Sequence, residues 1–335
     1  MTGLPAASVA GDLANALLVL RQGDRAKNSS MVSRRPMPAY GSKDYVDSLA
    51  EFGERAELPA SGGWFLRRPI KGHDLHDGMT YPFLGCEDWS ALADDIEEWR
   101  GRLVSLAVVP DPFGQYEMSD LERAFPGRVV PFKHHHVADL SLPLDRIVSS
   151  HHARQVAKAF RRRVEVEVHA DPRPMLDVWL GLFEHTIEKF DIHGIRGFSR
   201  IAFERQLALP GAVMSIATLD EVPVAAHFFL VGDGVVYAHA AAASPAAYKL
   251  GAAYALYYRD VEYFADKAQW IDWGGEAGLA EDGKLSSFKA GWSTGVRQSY
   301  FCGRILDPER YADLVNLSAK STTTYFPAYR QGEFE

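Results

Sequence analysis

Residues 213–240 read VMSIATLDEVPVAAHFFLVGDGVVYAHA, and this stretch decides the fold. It contains three apolar runs of strand length, at 213–219, 223–231 and 235–240. The runs are separated by Asp220-Glu221 and by Gly232-Asp233-Gly234, which are turns of hairpin length. The pattern therefore predicts an antiparallel meander. The middle run is apolar on both faces apart from His227, which indicates that other elements cover both sides of it.

Regular segments flank this meander on both sides. Apolar residues at helical spacing predict a helix over 174–190. Downstream, the sequence predicts a loop at 244–250, a helix at 251–267, and a buried strand at 270–273 that ends in Gly274-Gly275. Upstream, Ser149-Ser150 has the side chains of a helix N-cap before a basic helix, 151–163, and a strand, 164–168.

The first half of the chain has mixed α/β character. A helix is predicted at 91–100, and an apolar strand at 103–109 is stopped by Pro110-Asp111-Pro112. A length of 335 residues is typical of two domains. We therefore predict a disordered lead-in over 1–33, an N-terminal domain over 34–146 and a C-terminal domain over 147–335.

Composition restricts the class of protein. The chain is 47% hydrophobic and 24% charged, as in globular proteins. Cys86 and Cys302 form no CxxC pair, which fits a reducing compartment and no metal-thiolate cluster. A net charge of -8 gives no general attraction to DNA. The N-terminal apolar run, 13–20, is too short to span a bilayer, so we expect a cytoplasmic protein without membrane insertion.

A candidate phosphate-binding loop follows the meander. It consists of Tyr248-Lys249-Leu250-Gly251-Ala252-Ala253, at the predicted start of a helix. Backbone N–H groups at a helix N-terminus bind phosphate, and Gly251 allows close approach of a ligand to the backbone. Small residues at this place are equally compatible with simple packing. No GxxxxGK[ST] or strand-linked GxGxxG motif occurs, so the motifs do not indicate an ATPase or a dinucleotide-binding protein.

The second half resembles the GNAT N-acyltransferase fold, in which a loop of the form Arg/Gln-x-x-Gly-x-Gly/Ala holds the pyrophosphate of acyl-coenzyme A. Gly251 and Ala253 match this pattern, while Tyr248 stands where Arg or Gln is usual. The chain is more closely similar to the two-domain GNAT branch that includes Fem-type aminoacyltransferases and polysaccharide-cluster acetyltransferases. The basic helix, 151–163, and the small-residue strand at 223–226 fit that branch.

The most specific part of this resemblance is a C-terminal motif. It comprises Asp272-Trp273-Gly274-Gly275, Gly278-Leu279, Leu285 to Phe288-Lys289, and Gly291-Trp292. The resemblance extends over about 145–302 and includes the first half by architecture only. It implies an α/β (α+β) fold of tandem GNAT-like domains, each a mixed, mostly antiparallel sheet flanked by helices. It also implies acyl-CoA as the donor, with aminoacyl-tRNA as the alternative, and no metal.

Acyl transfer to an amine needs a proton acceptor and a positive or N–H-rich pocket for the carbonyl oxygen. Lys289 would supply the charge, and Asp272, at the end of a strand, would orient the amine or take its proton. Tyr237 and His239 project from one face of a strand, and His239 is the better base by its ordinary pKa. Each has a structural alternative: a solvated lysine, a carboxylate that caps the turn at Gly274, and a hydrogen-bonded core histidine.

Other side chains are candidates for contact with the substrate. Phe288 belongs to the C-terminal motif, and His193 and Arg196 lie in a glycine-punctuated loop that would form a lid or simply connect two elements. His134 and His136 are two apart on one strand, so only these two of the three consecutive histidines share a face. The alternative role for His134 and His136 is packing. The sequence has no HExxH motif, which argues against a metal site.

The basic side chains of the helix at 151–163 have two interpretations. They would bind the phosphates of coenzyme A or of a tRNA acceptor end, or form an ordinary solvated face. Gly291-Trp292-Ser293-Thr294-Gly295 fits the GxSxG pattern of serine hydrolases. That motif requires a following helix and a downstream histidine, whereas a strand is predicted and no histidine follows His239. A serine hydrolase is therefore excluded.

The sequence predicts an N-acyltransferase. The acceptor would be the amine of a small molecule, a sugar or a peptide, bound in a cleft between the two domains. Two alternatives stay open: a Fem-like enzyme that uses aminoacyl-tRNA, and a catalytically inactive GNAT-like binding module.

Overall fold

The protein is built around one mixed sheet of eleven strands, in a computed structural model that describes residues 39–275, 283–317 and 323–333. The strands are β1 (Glu54–Leu58), β2 (Gly63–Pro69), β3 (His76–Met79), β4 (Ser105–Val108), β5 (Val129–Asp139), β6 (Val164–His169), β7 (Ala212–Leu219), β8 (Val222–Gly232), β9 (Val235–Ala243), β10 (Trp270–Asp272) and β11 (Gly295–Ile305). Their spatial order is β1-β2-β3-β4-β11-β5-β10-β9-β8-β7-β6.

Helices cover both faces of this sheet. They are α1 (Lys43–Ser48), α2 (Leu92–Glu97), α3 (Met118–Ala124), α4 (Leu144–Ile147), α5 (Ser150–Arg161), α6 (Leu176–Phe190), α7 (Arg200–Leu207), α8 (Pro245–Leu250), α9 (Ala252–Phe264), α10 (Lys284–Ala290) and α11 (Pro308–Leu317). Between the strands of the sheet, β3 and β4 pair in parallel, as do β9 and β10, and the other pairs are antiparallel. The predicted fold class, a mixed and mostly antiparallel sheet flanked by helices, is confirmed.

The meander of β7, β8 and β9 forms as predicted. Asp220 and Glu221 have φ values of +48° and +66°, and Asp233 and Gly234 have +51° and +74°. Two consecutive residues with positive φ form the turn whose twist matches that of a β-hairpin. The side chains of β8 then alternate between two cores, because Phe228 packs with α6 and α7 while Phe229 packs with α5 and α9. Coverage of both faces is therefore confirmed.

The prediction of a loop at 244–250 is wrong. It contains helix α8, which begins with Pro245 at its first turn and ends at Gly251. Proline is favoured at the first position of a helix because its fixed φ suits the helix and its missing N–H has no partner there. Gly251 has φ +73°, the left-handed conformation that commonly ends a helix. Gly251 is therefore a hinge between two helices, α8 and α9.

The last strand connects the two halves of the chain. β11 lies between β4 and β5, where Gly303 pairs with Ala107 and Arg297 pairs with His135. One end of β11 is level with β10, since Val137 of β5 pairs with both Gly295 and Asp272. The division at residues 146 and 147 stays a prediction. The predicted lead-in, 1–33, and the Gly278-Leu279 part of the C-terminal motif lie outside the described residues.

Candidate active site

The two parallel strands β9 and β10 separate at the centre of the sheet. Their pairing extends over three residues and ends where Tyr237 is opposite Asp272. β9 then continues for six residues to Ala243, still paired with β8, while β10 ends at Asp272. The strands therefore open a cleft whose walls carry the residues that the sequence singled out.

Two buried groups meet on the face of the cleft that is covered by α1, α6 and α7. The phenol of Tyr237 donates a 2.6 Å hydrogen bond to Oδ2 of Asp111, and Oδ1 of Asp111 accepts the N–H of Phe113 at 2.8 Å. Burial raises the pKa of Asp111 to about 6, although the bond from Tyr237 acts in the opposite direction. A carboxyl group with such a pKa is suited to exchange a proton near neutral pH.

Asp272 lies in the same group of residues. Its carboxylate is 2.9 Å from Nδ1 of His135, and its Oδ1 accepts the N–H of Gly274 at 2.7 Å. Asp272 thus caps the turn at Gly274 and also fixes a buried histidine. The ring of Phe83 is 5.4 Å from that of His135 and 6.2 Å from that of Tyr237, which places both on one face of the sheet.

His239 is held at both ring nitrogens. The hydroxyl of Tyr40 is 3.0 Å from Nδ1, and the amide oxygen of Gln206 is 3.2 Å from Nε2. Since an amide oxygen only accepts, Nε2 carries the hydrogen and Nδ1 accepts from Tyr40. Burial lowers the pKa of His239 to about 3, so the ring is neutral at physiological pH. The ring of Tyr40 lies 5.2 Å from that of Tyr237. The hydrogen-bonded residues Tyr40, His239 and Gln206 therefore lie beside Tyr237 and its partner Asp111.

Aromatic side chains form the opposite face of the cleft, beside the start of α9. Tyr254, in the first turn of α9, has its ring 5.1 Å from that of Phe288 and 5.1 Å from that of His152. His152 stacks on Trp292 at 5.0 Å. Its ring fills the space beside Gly291, where an added Cβ would be 1.6 Å from ring atoms. The Gly-Trp of the C-terminal motif is therefore required by packing.

Lys289 is buried at the end of α10, close to the end of β10. Its Nζ donates a 2.6 Å hydrogen bond to the carbonyl of Gly275. A Cβ on Gly274 would lie 3.5 Å from this nitrogen, and Gly274 has φ +77°. The glycines of the motif thus bring the turn after β10 against a buried ammonium group.

The predicted phosphate-binding segment forms the turn between α8 and α9. Arg162 donates to the carbonyl of Lys249, so the basic end of α5 lies against this turn. Tyr248 is exposed and has the ammonium of Lys189 3.5 Å from its ring centroid. Gly251 ends α8, and Ala252 and Ala253 begin α9. Five basic residues of α5 and of this turn are exposed: Arg154, Lys158, Arg161, Arg162 and Lys249.

The other predicted residues are more dispersed. His136 is buried, and its Nε2 is 2.9 Å from Oγ of Ser286 in α10, whereas His134 is exposed on β5. His193 is exposed and pairs with Asp191. Arg196 is half-buried, and its charge partly offsets the burial that raises the pKa of Tyr81, a residue that lines a small cavity together with Tyr40.

Sequence reasoning missed four residues of the buried group. They are Tyr40, Asp111, His135 and Gln206. Asp111 was visible only as part of a Pro-Asp-Pro strand stop, and His135 only as one of three consecutive histidines. The spacing of these four residues along the sequence does not reveal their contacts, because their partners lie on distant segments of the chain.

Two further properties concern the described part of the chain. Within residues 39–275, 283–317 and 323–333, no group of three or more His, Cys, Asp or Glu side chains has the arrangement of a metal site. None of the helices in these ranges combines the length and the apolar character needed to cross a bilayer.

Part of the sequence is similar to a known protein family. Residues 149–284 match the family model of the acetyltransferase (GNAT) domain. The cleft between β9 and β10, the α8–α9 turn and the start of α10 lie within this range. No curated protein matches the sequence.

Solved structures share the fold over most of the chain. FemX is 12% identical, with a TM-score of 0.63, and the alignment covers 84% of this chain and 95% of FemX. The C-terminal domain of a putative lysylphosphatidylglycerol synthetase from Agrobacterium fabrum is 13% identical, with a TM-score of 0.60 and coverages of 82% and 91%. L-PGS from Bacillus licheniformis is 14% identical, with a TM-score of 0.57 and coverages of 78% and 86%. The fold that this chain shares with these structures therefore extends over both of its halves.

Proposed function

We propose that this protein is an N-acyltransferase that joins an activated acyl group to an amine in the cleft between β9 and β10. The observation that carries the proposal is the opening of these strands at Tyr237 and Asp272. Buried carboxylates lie on one face of this opening, and a helix N-terminus with basic neighbours lies on the other. An acyl carbonyl held between the strands would thus be accessible to an amine from one side and to a phosphate-bearing donor from the other.

The donor we propose is acyl-coenzyme A. Its phosphates would bind at the turn between α8 and α9, where the first helical turn of α9 begins and where Arg162 donates to the carbonyl of Lys249. The acyl thioester would then extend into the cleft. The exposed length of α5 also fits the phosphates of an RNA, so aminoacyl-tRNA is the second candidate donor.

The proposed reaction is a direct attack. The amine nitrogen forms a bond to the acyl carbon, and the bond from that carbon to the coenzyme sulfur breaks. The proton lost by the amine passes to Asp111, which Tyr237 holds in place, and the leaving sulfur takes up a proton. Lys289 would stabilise the negative charge that develops on the carbonyl oxygen.

His239 takes a different part in this proposal. Both of its ring nitrogens are occupied by hydrogen bonds, and burial keeps the ring neutral. It would position Tyr40 beside Tyr237, while Asp111 accepts the proton. Asp272, paired with His135, would fix the turn that holds Gly274 and Lys289.

The reaction can be tested by measuring free thiol release from acetyl-CoA in the presence of a panel of primary amines. We expect amine-dependent release, and a rise in melting temperature on addition of coenzyme A. Retention of charged tRNA on a filter, without any effect of coenzyme A, would replace the proposed donor by the second candidate. Failure of both donors to bind would contradict the enzyme and favour a binding module.

A further inference from the structure

Arg297, on β11, contacts two aromatic rings and a backbone carbonyl. Its guanidinium carbon lies 4.2 Å from the ring centroid of Phe113 and 5.3 Å from that of Trp270. Its Nη1 donates a 3.3 Å hydrogen bond to the carbonyl of Pro112. Pro112 and Phe113 belong to the segment after β4, whereas Trp270 begins β10. This half-buried arginine therefore joins three parts of the chain at one point.

The register of the sheet places Arg297 on the face of the cleft that carries the buried carboxylates. Arg297 pairs with His135, and the side chains of directly paired residues project from the same face. Nδ1 of His135 is 2.9 Å from the carboxylate of Asp272. The ring of Phe113, which Arg297 contacts, is 6.2 Å from that of Tyr237. The side chain of Arg297 thus lies on the same side of the sheet as Asp272 and Tyr237.

The two residues that Arg297 contacts after β4 directly follow Asp111. The N–H of Phe113 donates to Oδ1 of Asp111 at 2.8 Å, while the phenol of Tyr237 binds Oδ2. A hydrogen bond to the ionised form of a carboxyl group favours ionisation. The position of Phe113 therefore affects the readiness of Asp111 to accept a proton.

Asp111 itself has a separate backbone attachment. Its N–H donates to the carbonyl of Leu84 at 2.9 Å, so the end of β4 is held independently of Arg297. The ring of Phe113 is half-buried and packs against Trp270 and Arg297. We therefore expect loss of Arg297 to leave the fold intact and to loosen Phe113.

We propose that Arg297 is a positioning residue, which holds Phe113 so that its N–H stays on the carboxylate of Asp111. A planar guanidinium stacks on aromatic rings and donates to a carbonyl at the same time, which the ammonium of a lysine does less well. Arg297 acts through Phe113 and not on the reacting atoms. The inference rests on the proposed function, in which Asp111 accepts the proton of the amine.

The groups around Asp111 give the direction of the expected effect. The titratable groups that interact with it come from several elements: Tyr237 of β9, Asp272 of β10, His135 of β5, Tyr40 before α1 and Tyr116 before α3. Burial raises the pKa of Asp111 to about 6, and the bond from Phe113 acts in the opposite direction. Weakening of that bond and loss of the positive charge of Arg297 both disfavour the ionised carboxyl. The pKa of Asp111 should therefore rise when an apolar residue replaces Arg297.

Carbon NMR of the aspartate carboxyl groups in the full chain tests this role, with the Asp111 signal assigned through Asp111→Asn. We expect a titration midpoint of about 6 in the wild type. The midpoint of Arg297→Met should be higher by about 0.5 pH units or more. The matched control is Arg304→Met, also on β11, whose Nη1 donates to the carbonyl of Ala124 at 3.2 Å. The control should titrate like the wild type, and melting curves establish that the variants are folded.

A conservative variant and the acylation assay extend the test. Arg297→Lys keeps the positive charge but not the planar group, and we expect it to raise the midpoint as well. It carries the same test should Arg297→Met fail to fold. In the assay, the pH profile of kcat/KM should shift in the same direction as the midpoint, with the KM for the acyl donor unchanged.

Three results would overturn the proposal. They are an unchanged midpoint in Arg297→Met, an equal shift in Arg304→Met, and a full return to the wild-type midpoint in Arg297→Lys, which would assign the effect to charge alone. The titration needs no acyl donor. Absence of amine acylation by the wild type would therefore contradict the proposed function, while the midpoints still decide whether Arg297 positions Asp111.

Discussion

The phenol of Tyr237, on β9, donates a 2.6 Å hydrogen bond to the carboxylate of Asp111, in the segment that follows β4. Asp111 is only 4% exposed, yet the raised pKa of about 6 leaves it largely ionised at pH 7.5. Burial of a carboxylate is unfavourable, and here the compensation comes from Tyr237 and from the N–H of Phe113. This contact joins two segments 126 positions apart at the point where β9 and β10 separate.

Replacement of Asp111 by Asn should lower kcat/KM for amine acylation by about 100-fold or more, because the amide does not accept the amine proton. In the wild type we expect the rate to rise with pH through about 6, as Asp111 ionises. The variant should lose this part of the profile. Asp266→Asn, at an exposed position after α9, is the matched control, and an unchanged pH profile for Asp111→Asn would contradict the assignment.

The groups that face Asp111 come from four parts of the fold. They are Tyr237 of β9, Asp272 of β10, His135 of β5, and the N–H of Phe113. The folded state raises the pKa of Asp111 above its ordinary value of 3.8. Its ionisation therefore opposes folding: the favourable contribution is complete below about pH 4 and is lost as the pH rises through about 6. Chemical unfolding of the Asn variant should show a weaker loss of stability over this interval.

His239 should not titrate between pH 5 and 8. Burial lowers its pKa to about 3, so the unfolded chain takes up a proton in this range while the folded chain does not. The contribution of His239 to stability is therefore present above about pH 6.5 and declines as the pH falls. Proton NMR of the ring over this pH range checks this. A titration midpoint near 6.5 for His239 would contradict its buried, neutral state.

Local signals in the sequence were sufficient for much of the fold. The turn residues Asp220, Asp233 and Gly234 adopt the positive φ that their residue types favour, and Ser149 caps α5 as predicted. The failure at 244–250 was also local. Pro245 is a signal for the start of a helix, and α8 begins at this residue.

Most of the missed site residues had no local signal. Asp111 lies between two prolines, which correctly predicted the end of β4 and gave no sign of its partner on β9. The partnership requires β11 to lie between β4 and β5, and strand order across a sheet is not encoded in the period of any one strand. His135 also lacks a local signal, because it begins a run of four consecutive buried residues of β5 that ends at Ala138, and its partner Asp272 lies on another strand.

Gly291→Ala should destabilise the protein by about 1–3 kcal/mol or more, because the new methyl group overlaps the buried ring of His152. To avoid this overlap, His152 would have to give up its stacking on Trp292 and its contact with Tyr254. Urea unfolding measures the change. Gly295→Ala is the matched control, since its Cβ would meet no atom within 4 Å. Equal stability of the two variants would contradict the packing argument.

Lys289→Met should reduce kcat by about 100-fold while the KM for the acyl donor changes little. The ammonium lies at the end of β10, where it would stabilise the carbonyl oxygen mainly in the transition state, so its loss affects turnover more than binding. Methionine is similar in length and apolar, and the variant should fold, with a loss of about 1 kcal/mol for the hydrogen bond to Gly275. Lys284→Met, at the exposed start of the same helix, is the control. Steady-state kinetics distinguish the cases: normal kcat would remove Lys289 from the chemistry, and a rise in KM alone would assign it to donor binding.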